Sequence, residues 1–326
     1  MRHALISCIA MCLLMIGCGT PSLLITPVSN NNALQEITVQ PGRGWSPDKI
    51  AIIEIEGLIS NSRTEGLLGG GENPVSRFTQ QIEAAERDRK VKAIVLRLNS
   101  PGGTVTGSDT LYQLVERYKK RTGNPVIASA QEVACSGAYY AALSADQIVV
   151  QPTSVVGSIG VVFNAFEFSG GLSKLGIRTD AIKSGEFKDM GSPFKPLPVD
   201  ERALMQAMVD EYFNLFASLV KKHRPGLKGS DFAVATDGRV FSGAQAVEIG
   251  LADRIGLLAD AITLARQAAN APKAKAILYK RPHGYSGSIY ASSHDPQPRS
   301  DTLTLRLPES VTPLPGGFYY LWEAGR

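Results

Sequence analysis

The sequence predicts an α/β fold in which a mostly parallel sheet is covered by helices on both faces. Two observations lead there. Strand-like runs alternate with amphipathic, helix-like runs along most of the chain, the order that places parallel strands next to one another through helical crossovers. The strand-like runs are also nearly continuous in apolar residues, as strands buried on both faces are. Length and composition allow it: 326 residues suffice for one large domain or two small ones, and 44% hydrophobic with 20% charged is ordinary for a globular chain.

The first strand expected is Lys49 to Gly57, Lys-Ile-Ala-Ile-Ile-Glu-Ile-Glu-Gly. A glycine-rich loop, Gly66 to Gly71, follows it, and apolar positions at helical spacing run from Pro74 to Arg89. Val91 to Leu98 is a second strand, leading into Asn99-Ser-Pro-Gly-Gly103. A helix from about Gly107 to Lys120 carries Leu111, Leu114, Val115 and Tyr118 on one face. Pro125 to Ala130 and Gln147 to Val150 read as strands, with a small-residue helix, Ser136 to Leu143, between them. Asp200 to Lys222 is a long amphipathic helix with an acidic first turn, and shorter helices are expected over Ser242 to Gly250 and Leu258 to Asn270.

The two ends differ from this body. Arg2 precedes an apolar run, Ala4 to Ile16, that closes on Gly17-Cys18. A positive start, a short apolar core and a small residue before the cut describe an export signal, and the run is short of the roughly 20 residues of a membrane span. The Ile-Gly-Cys ending resembles the lipobox of bacterial lipoproteins, which implies lipidation of Cys18; an uncleaved signal anchor is the alternative. Both place the body outside the cytoplasm, tethered to a membrane of the cell envelope. The chain thus divides into a signal (1–18), a Pro/Ser/Asn-rich tether (19–47), an α/β domain (48–272) and a polar, Pro/Ser-rich tail (273–326). An apolar patch in that tail, Phe318 to Trp322, is expected to be disordered or to dock on a neighbouring chain.

Three of the four cysteines lie in the signal, so Cys135 stands alone in the body and no zinc spacing exists. The net charge of +4 is spread out, with no basic stripe that would suit nucleic acid. Neither a metal nor a cofactor is implied.

Two segments combine glycines with backbone N–H groups that can face outward: Ser100-Pro-Gly-Gly103 after a strand, and Ala134-Cys-Ser-Gly-Ala-Tyr-Tyr140 at a strand-to-helix junction. Acyl transfer needs a nucleophile and N–H donors aimed at the developing oxyanion, and a helix start leaves such donors free. On spacing alone a turn and a helix start are the stronger readings of the two.

The order of these segments, followed by Ser184-Gly-Glu-Phe-Lys-Asp189, resembles the signal peptide peptidase A family in its short, single-repeat form. The resemblance runs from about Ile50 to Ala265. It implies a Clp protease/crotonase-like fold of repeated ββα units. It also implies a membrane-bound serine endopeptidase that degrades hydrophobic peptides, such as cleaved signal peptides, and assembles into a homo-oligomeric ring. Carried over by position, Ser136 is the nucleophile, Lys188 the general base, Gly103 and Gly137 the oxyanion donors, and Ser158 the residue that orients the lysine. The family's Ala-Ser-Gly-Gly stands here as Cys135-Ser136-Gly137-Ala138, a departure that keeps the oxyanion glycine.

A lysine base imposes a physical condition. An ordinary lysine has a pKa of about 10.4 and is protonated near neutral pH, so the amine must be desolvated at a cost of about 4 kcal/mol to the charged form. A dry pocket around Lys188 is therefore expected. Histidine is a poor alternative: His3 lies in the signal, His283 and His294 in the tail, and His223 at a basic helix end. Cys135 is the competing nucleophile but lacks a histidine partner. A non-proteolytic enzyme of the crotonase superfold, or an inactive membrane scaffold, is the alternative for the whole chain.

Overall fold

The computed structural model describes residues 34–62, 65–66, 69–70, 73–281 and 317–322. The expected signal, Cys18 and most of the tether lie outside the described residues. In chain order the elements are β1 (Gln35–Gln40), β2 (Lys49–Glu56), β3 (Glu65–Gly66), β4 (Gly69–Gly70), α1 (Pro74–Arg87), β5 (Val91–Ser100), β6 (Gly102–Thr104) and α2 (Val105–Thr122). They continue with β7 (Val126–Cys135), α3 (Gly137–Ala142), β8 (Gln147–Val150), β9 (Val155–Gly157), β10 (Val162–Asn164), α4 (Ser169–Lys174) and α5 (Val199–His223). The last are α6 (Gly229–Ala235), β11 (Val240–Ser242), α7 (Gly243–Glu248), β12 (Arg254–Ile255), α8 (Leu258–Ala268), β13 (Lys275–Lys280) and β14 (Gly317–Leu321).

A nine-stranded sheet is the frame, with the path β1-β13-β2-β5-β7-β8-β12 and with β9 joining β7 to β11. The run from β13 to β12 is parallel throughout, as the alternation of strands and helices implies. Successive side chains of a strand point to opposite faces. Ile53, Ile55, Leu96 and Leu98 accordingly pack with α1, α2 and α3, whereas Ile50, Ile52, Ala93 and Val95 pack under α8. Each fully buried Ile, Leu or Val contributes about 1.5–3 kcal/mol, which is why these strands are apolar on both faces. The exception is Glu54 opposite Arg97 on β2 and β5, a buried ion pair. Burial pushes the Arg97 guanidinium down to about 10.

The sheet extends past both ends of the expected domain 48–272. β1 lies in the segment expected to be a tether and pairs antiparallel with β13, which lies in the expected tail and adds to β2 in parallel. The Phe318–Trp322 patch is likewise neither free nor placed on another chain. As β14 it forms the middle strand of a small sheet, β10-β14-β6, antiparallel to both neighbours. Among the described residues no helix is long and apolar enough to cross a membrane.

Candidate active site

Ser136 sits where β7 becomes α3. The first half of β7 pairs with β8, and its last residues pair with β9, Cys135 opposite Gly157. That change of partner carries the strand end past β8, with β5 still beside it through Ser100 and Ala134. The Ser136 N–H donates to the Gly157 carbonyl at 2.7 Å, and the Tyr140 N–H, one turn into α3, donates to the Ser136 carbonyl at 2.8 Å. Held from both sides, Ser136 adopts φ 50° and ψ −114°. A non-glycine residue there is strained by about 1–3 kcal/mol, a conformation that persists only where the surroundings enforce it and that is common at nucleophile turns. Ser136 is 1% exposed and its Oγ has no hydrogen-bond partner among the described residues. A buried hydroxyl without a partner costs about 1–3 kcal/mol, so this one is poorly explained as a packing residue.

The two expected oxyanion glycines meet beside it. Ser100 Oγ donates to the Gly57 carbonyl at 2.6 Å and accepts from the Gly102 N–H at 3.1 Å, which fixes the turn into β6. The Gly102 carbonyl and the Thr104 N–H both bond to Ile59. Alternate residues of an extended strand face opposite neighbours, so the Gly103 amide points the other way. A Cβ on Gly137 would lie 3.1 Å from the Gly103 nitrogen and 2.2 Å from Ser108 Oγ. Only glycine allows this approach, and it brings two N–H groups together next to Ser136. The Gly137 N–H opens α3 and therefore has no acceptor within the helix. Ser158 follows Gly157 on the adjacent strand, with φ 50° and its N–H bonded to the Arg239 carbonyl at 2.7 Å.

Cys135 points elsewhere. Its thiol is buried, lies 3.4 Å from the Val155 carbonyl, and is pushed up to about 12 by burial, the wrong direction for a nucleophile. His223 closes α5 and its Nε2 is 2.8 Å from the Tyr112 hydroxyl. Burial, then neighbouring Lys222, lowers its pKa.

Lys188 differs from the dry pocket expected for it. It lies on a 3₁₀ turn, Glu186–Asp189, and is exposed, with no hydrogen bond to Ser136. The turn itself is anchored by its neighbours: Asp189 takes Lys183 and Lys195 at 2.7 Å each, and Lys195 reaches Glu201 at 2.7 Å. The hydrogen bonds from Lys183 and then Lys195 hold the Asp189 carboxyl down at about 2. Around this turn Phe168, Ile182, Phe187 and Phe194 are exposed apolar side chains.

Comparison with known proteins places the chain. A protein of Enterococcus faecium provisionally named signal peptide peptidase SppA is 31% identical over 250 residues, 77% of this chain and 72% of that protein. Protease 4 of Haemophilus influenzae is 31% identical over 224 residues, 69% of this chain but only 35% of its own length. Serine protease SPPA of Arabidopsis thaliana chloroplasts is 32% identical, and the match spans 34% of it. Among solved structures, a membrane-bound stomatin-specific protease, 1510-N, aligns with a TM-score of 0.46 at 14% identity, over 72% of this chain and 98% of that one. Residues 118–272, which include Ser136, Ser158 and Lys188, match peptidase family S49, and with the Enterococcus relative this shows that the chain belongs to that family.

Proposed function

We propose that the chain is a serine endopeptidase that cleaves hydrophobic peptides, cleaved signal peptides among them, through an acyl-enzyme on Ser136. The observation that carries this reading is the buried Oγ of Ser136, without a partner among the described residues, on a strained turn beside the Gly103 and Gly137 N–H groups. Attack by Oγ on a peptide carbonyl puts negative charge where those donors converge, which in related chemistry is worth about 10²–10³ in rate per donor.

Lys188 is the base in this reading, and it works only once covered. Its exposed turn and the apolar side chains around it suit burial under a neighbouring copy in a ring, or under bound substrate. Ser158 would orient the amine in this reading. Cys18, through its lipid, would hold the body at the membrane surface, with its hydrophobic substrates close by.

Labelling of the full-length protein with a serine-reactive fluorophosphonate tests the nucleophile: labelling that persists in Ser136→Ala removes Ser136 from the mechanism. Release of a Cys18→Ala variant from the membrane fraction is expected, and its retention there would favour the signal-anchor alternative. The non-proteolytic alternative gains if Ser136 labels but no peptide is cleaved.

A further inference from the structure

The two oxyanion donors belong to two different helices, and a side-chain hydrogen bond joins those helices. Gly103 stands just before α2, whose first turn is fixed by its own cap. Thr104 Oγ1 accepts from the Gly107 N–H at 3.1 Å, and Ser108 Oγ donates to the Thr104 carbonyl at 2.9 Å. Gly137 opens α3. The spacing between the two N–H groups is therefore set by how α2 and α3 sit against each other. There is no slack at that contact, since a Cβ on Gly137 would lie 3.1 Å from the Ser108 Cβ.

The link is made one turn further along each helix. The Tyr140 hydroxyl donates to Asp109 Oδ1 at 2.9 Å. Tyr140 is fully buried and its N–H donates to the Ser136 carbonyl at 2.8 Å, so the residue that holds the nucleophile's backbone is itself held from α2. Burial first, and then the Asp109 charge, push the Tyr140 hydroxyl above its ordinary pKa, which keeps it a proton donor. The same carboxylate oxygen takes Gln113 Nε2 at 3.4 Å, from the next turn of α2. The Tyr140 ring packs edge-on to Tyr112 at 5.6 Å and to Phe216 at 5.0 Å, contacts that a phenylalanine would keep.

We propose that Asp109 is a positioning residue for the oxyanion hole, acting through Tyr140 to set the separation of the Gly103 and Gly137 N–H groups. The inference rests on Ser136 being the nucleophile. A hydrogen bond to a carboxylate is about twice as strong as one between neutral groups, which suits it to fixing one helix against another. Oxyanion donors act on charge that develops only in the transition state, and a displacement of about 1 Å costs about a hundredfold in rate. Loss of the link therefore slows the chemical step and leaves reversible binding alone.

The test is fluorophosphonate labelling of the full-length protein over a range of probe concentrations, so that reversible binding and the maximal labelling rate are read separately. In that reaction Oγ bonds phosphorus, fluoride leaves, the Oγ proton passes to the lysine, and the phosphoryl oxygen takes the oxyanion's place. Tyr140→Phe and Asp109→Ala are each expected to lower the maximal rate about tenfold to a hundredfold, with binding of the probe unchanged. The double variant is expected to be no slower than the slower single one. Asp109→Asn, which keeps an acceptor oxygen at the same reach, is expected to recover most of the rate. Tyr140→Phe removes a single oxygen, so it carries the test even if Asp109→Ala does not fold. An unchanged maximal rate in Tyr140→Phe, a loss confined to binding, or losses that multiply in the double variant each overturn the inference while the protease reading stands. Failure of the unaltered chain to label overturns both.

Discussion

The Ser136 turn and the Lys188 turn are built in opposite ways. Ser136 is held by two backbone hydrogen bonds, by the end of the central strand β7 and by the first turn of α3, and it is buried. Lys188 rides on a four-residue 3₁₀ turn held by local hydrogen bonds and by ion pairs among Lys183, Asp189, Lys195 and Glu201, and it is exposed. One half of the proposed chemistry is complete within a single chain, and the other half awaits a covering surface. In the proposed reading, such a division would tie activity to assembly or to substrate.

The largest expected effect is on the buried side of this comparison. Ser136→Ala should lower peptidase activity by about 10⁴–10⁶-fold while raising the thermal unfolding midpoint by about a few degrees, since a buried hydroxyl without a partner is removed, measured by initial rates and circular dichroism. Lys188→Ala comes next, with a loss of about 10²–10⁴-fold near neutral pH, and Lys188→Arg should not rescue it because a guanidinium keeps its proton. Mixing the two inactive variants sharpens the comparison: recovered activity means the lysine serves a serine on another copy. Full activity of Lys188→Ala alone breaks it.

Gly102→Ala is expected to cost about 10²–10³-fold in kcat, since the added methyl would sit 2.7 Å from the Gly137 nitrogen at φ 106°. A smaller effect belongs to the ion-pair cluster. The Asp189 carboxyl is depressed in the folded chain, so its contribution is present above the ordinary carboxylate range and is lost as pH falls through about 2. Asp189→Asn should therefore quicken trypsin cleavage after Lys183 severalfold at neutral pH, without changing the global unfolding midpoint. The smallest effect concerns Cys135, whose thiol, raised to about 12, should resist iodoacetamide at pH 8 in the native protein.

Much of the frame was legible because apolar runs and helical periodicity report burial directly. The strand expected over Gln147–Val150 and the helices near 74–89 and 200–222 lie close to their observed bounds. The two glycine motifs were visible as candidates, and the structure brings them together. What stayed hidden depends on partners far away in the chain. Gln35–Gln40 alternates polar and apolar residues, as an edge strand does, but within a Pro- and Asn-rich stretch it reads as a tether. The Phe318–Trp322 patch was plain, yet its partners are β6, two glycines and a threonine, and the three-residue β10, neither of which announces a strand. The exposure of Lys188 was illegible for a different reason, since the packing of a short turn depends on tertiary contacts that its local sequence does not report.

The seating of β14 has a consequence for how the cleft responds to concentration. A free peptide leaves when a solution is diluted, but a strand joined covalently to its own cleft stays at a fixed effective concentration set by the length of the connection. A peptide gains entry only by binding tightly enough, or by being abundant enough, to displace it. A locally crowded polypeptide displaces such a strand more readily than a dilute one, so the same strand would shield the β6 edge from dilute polypeptides.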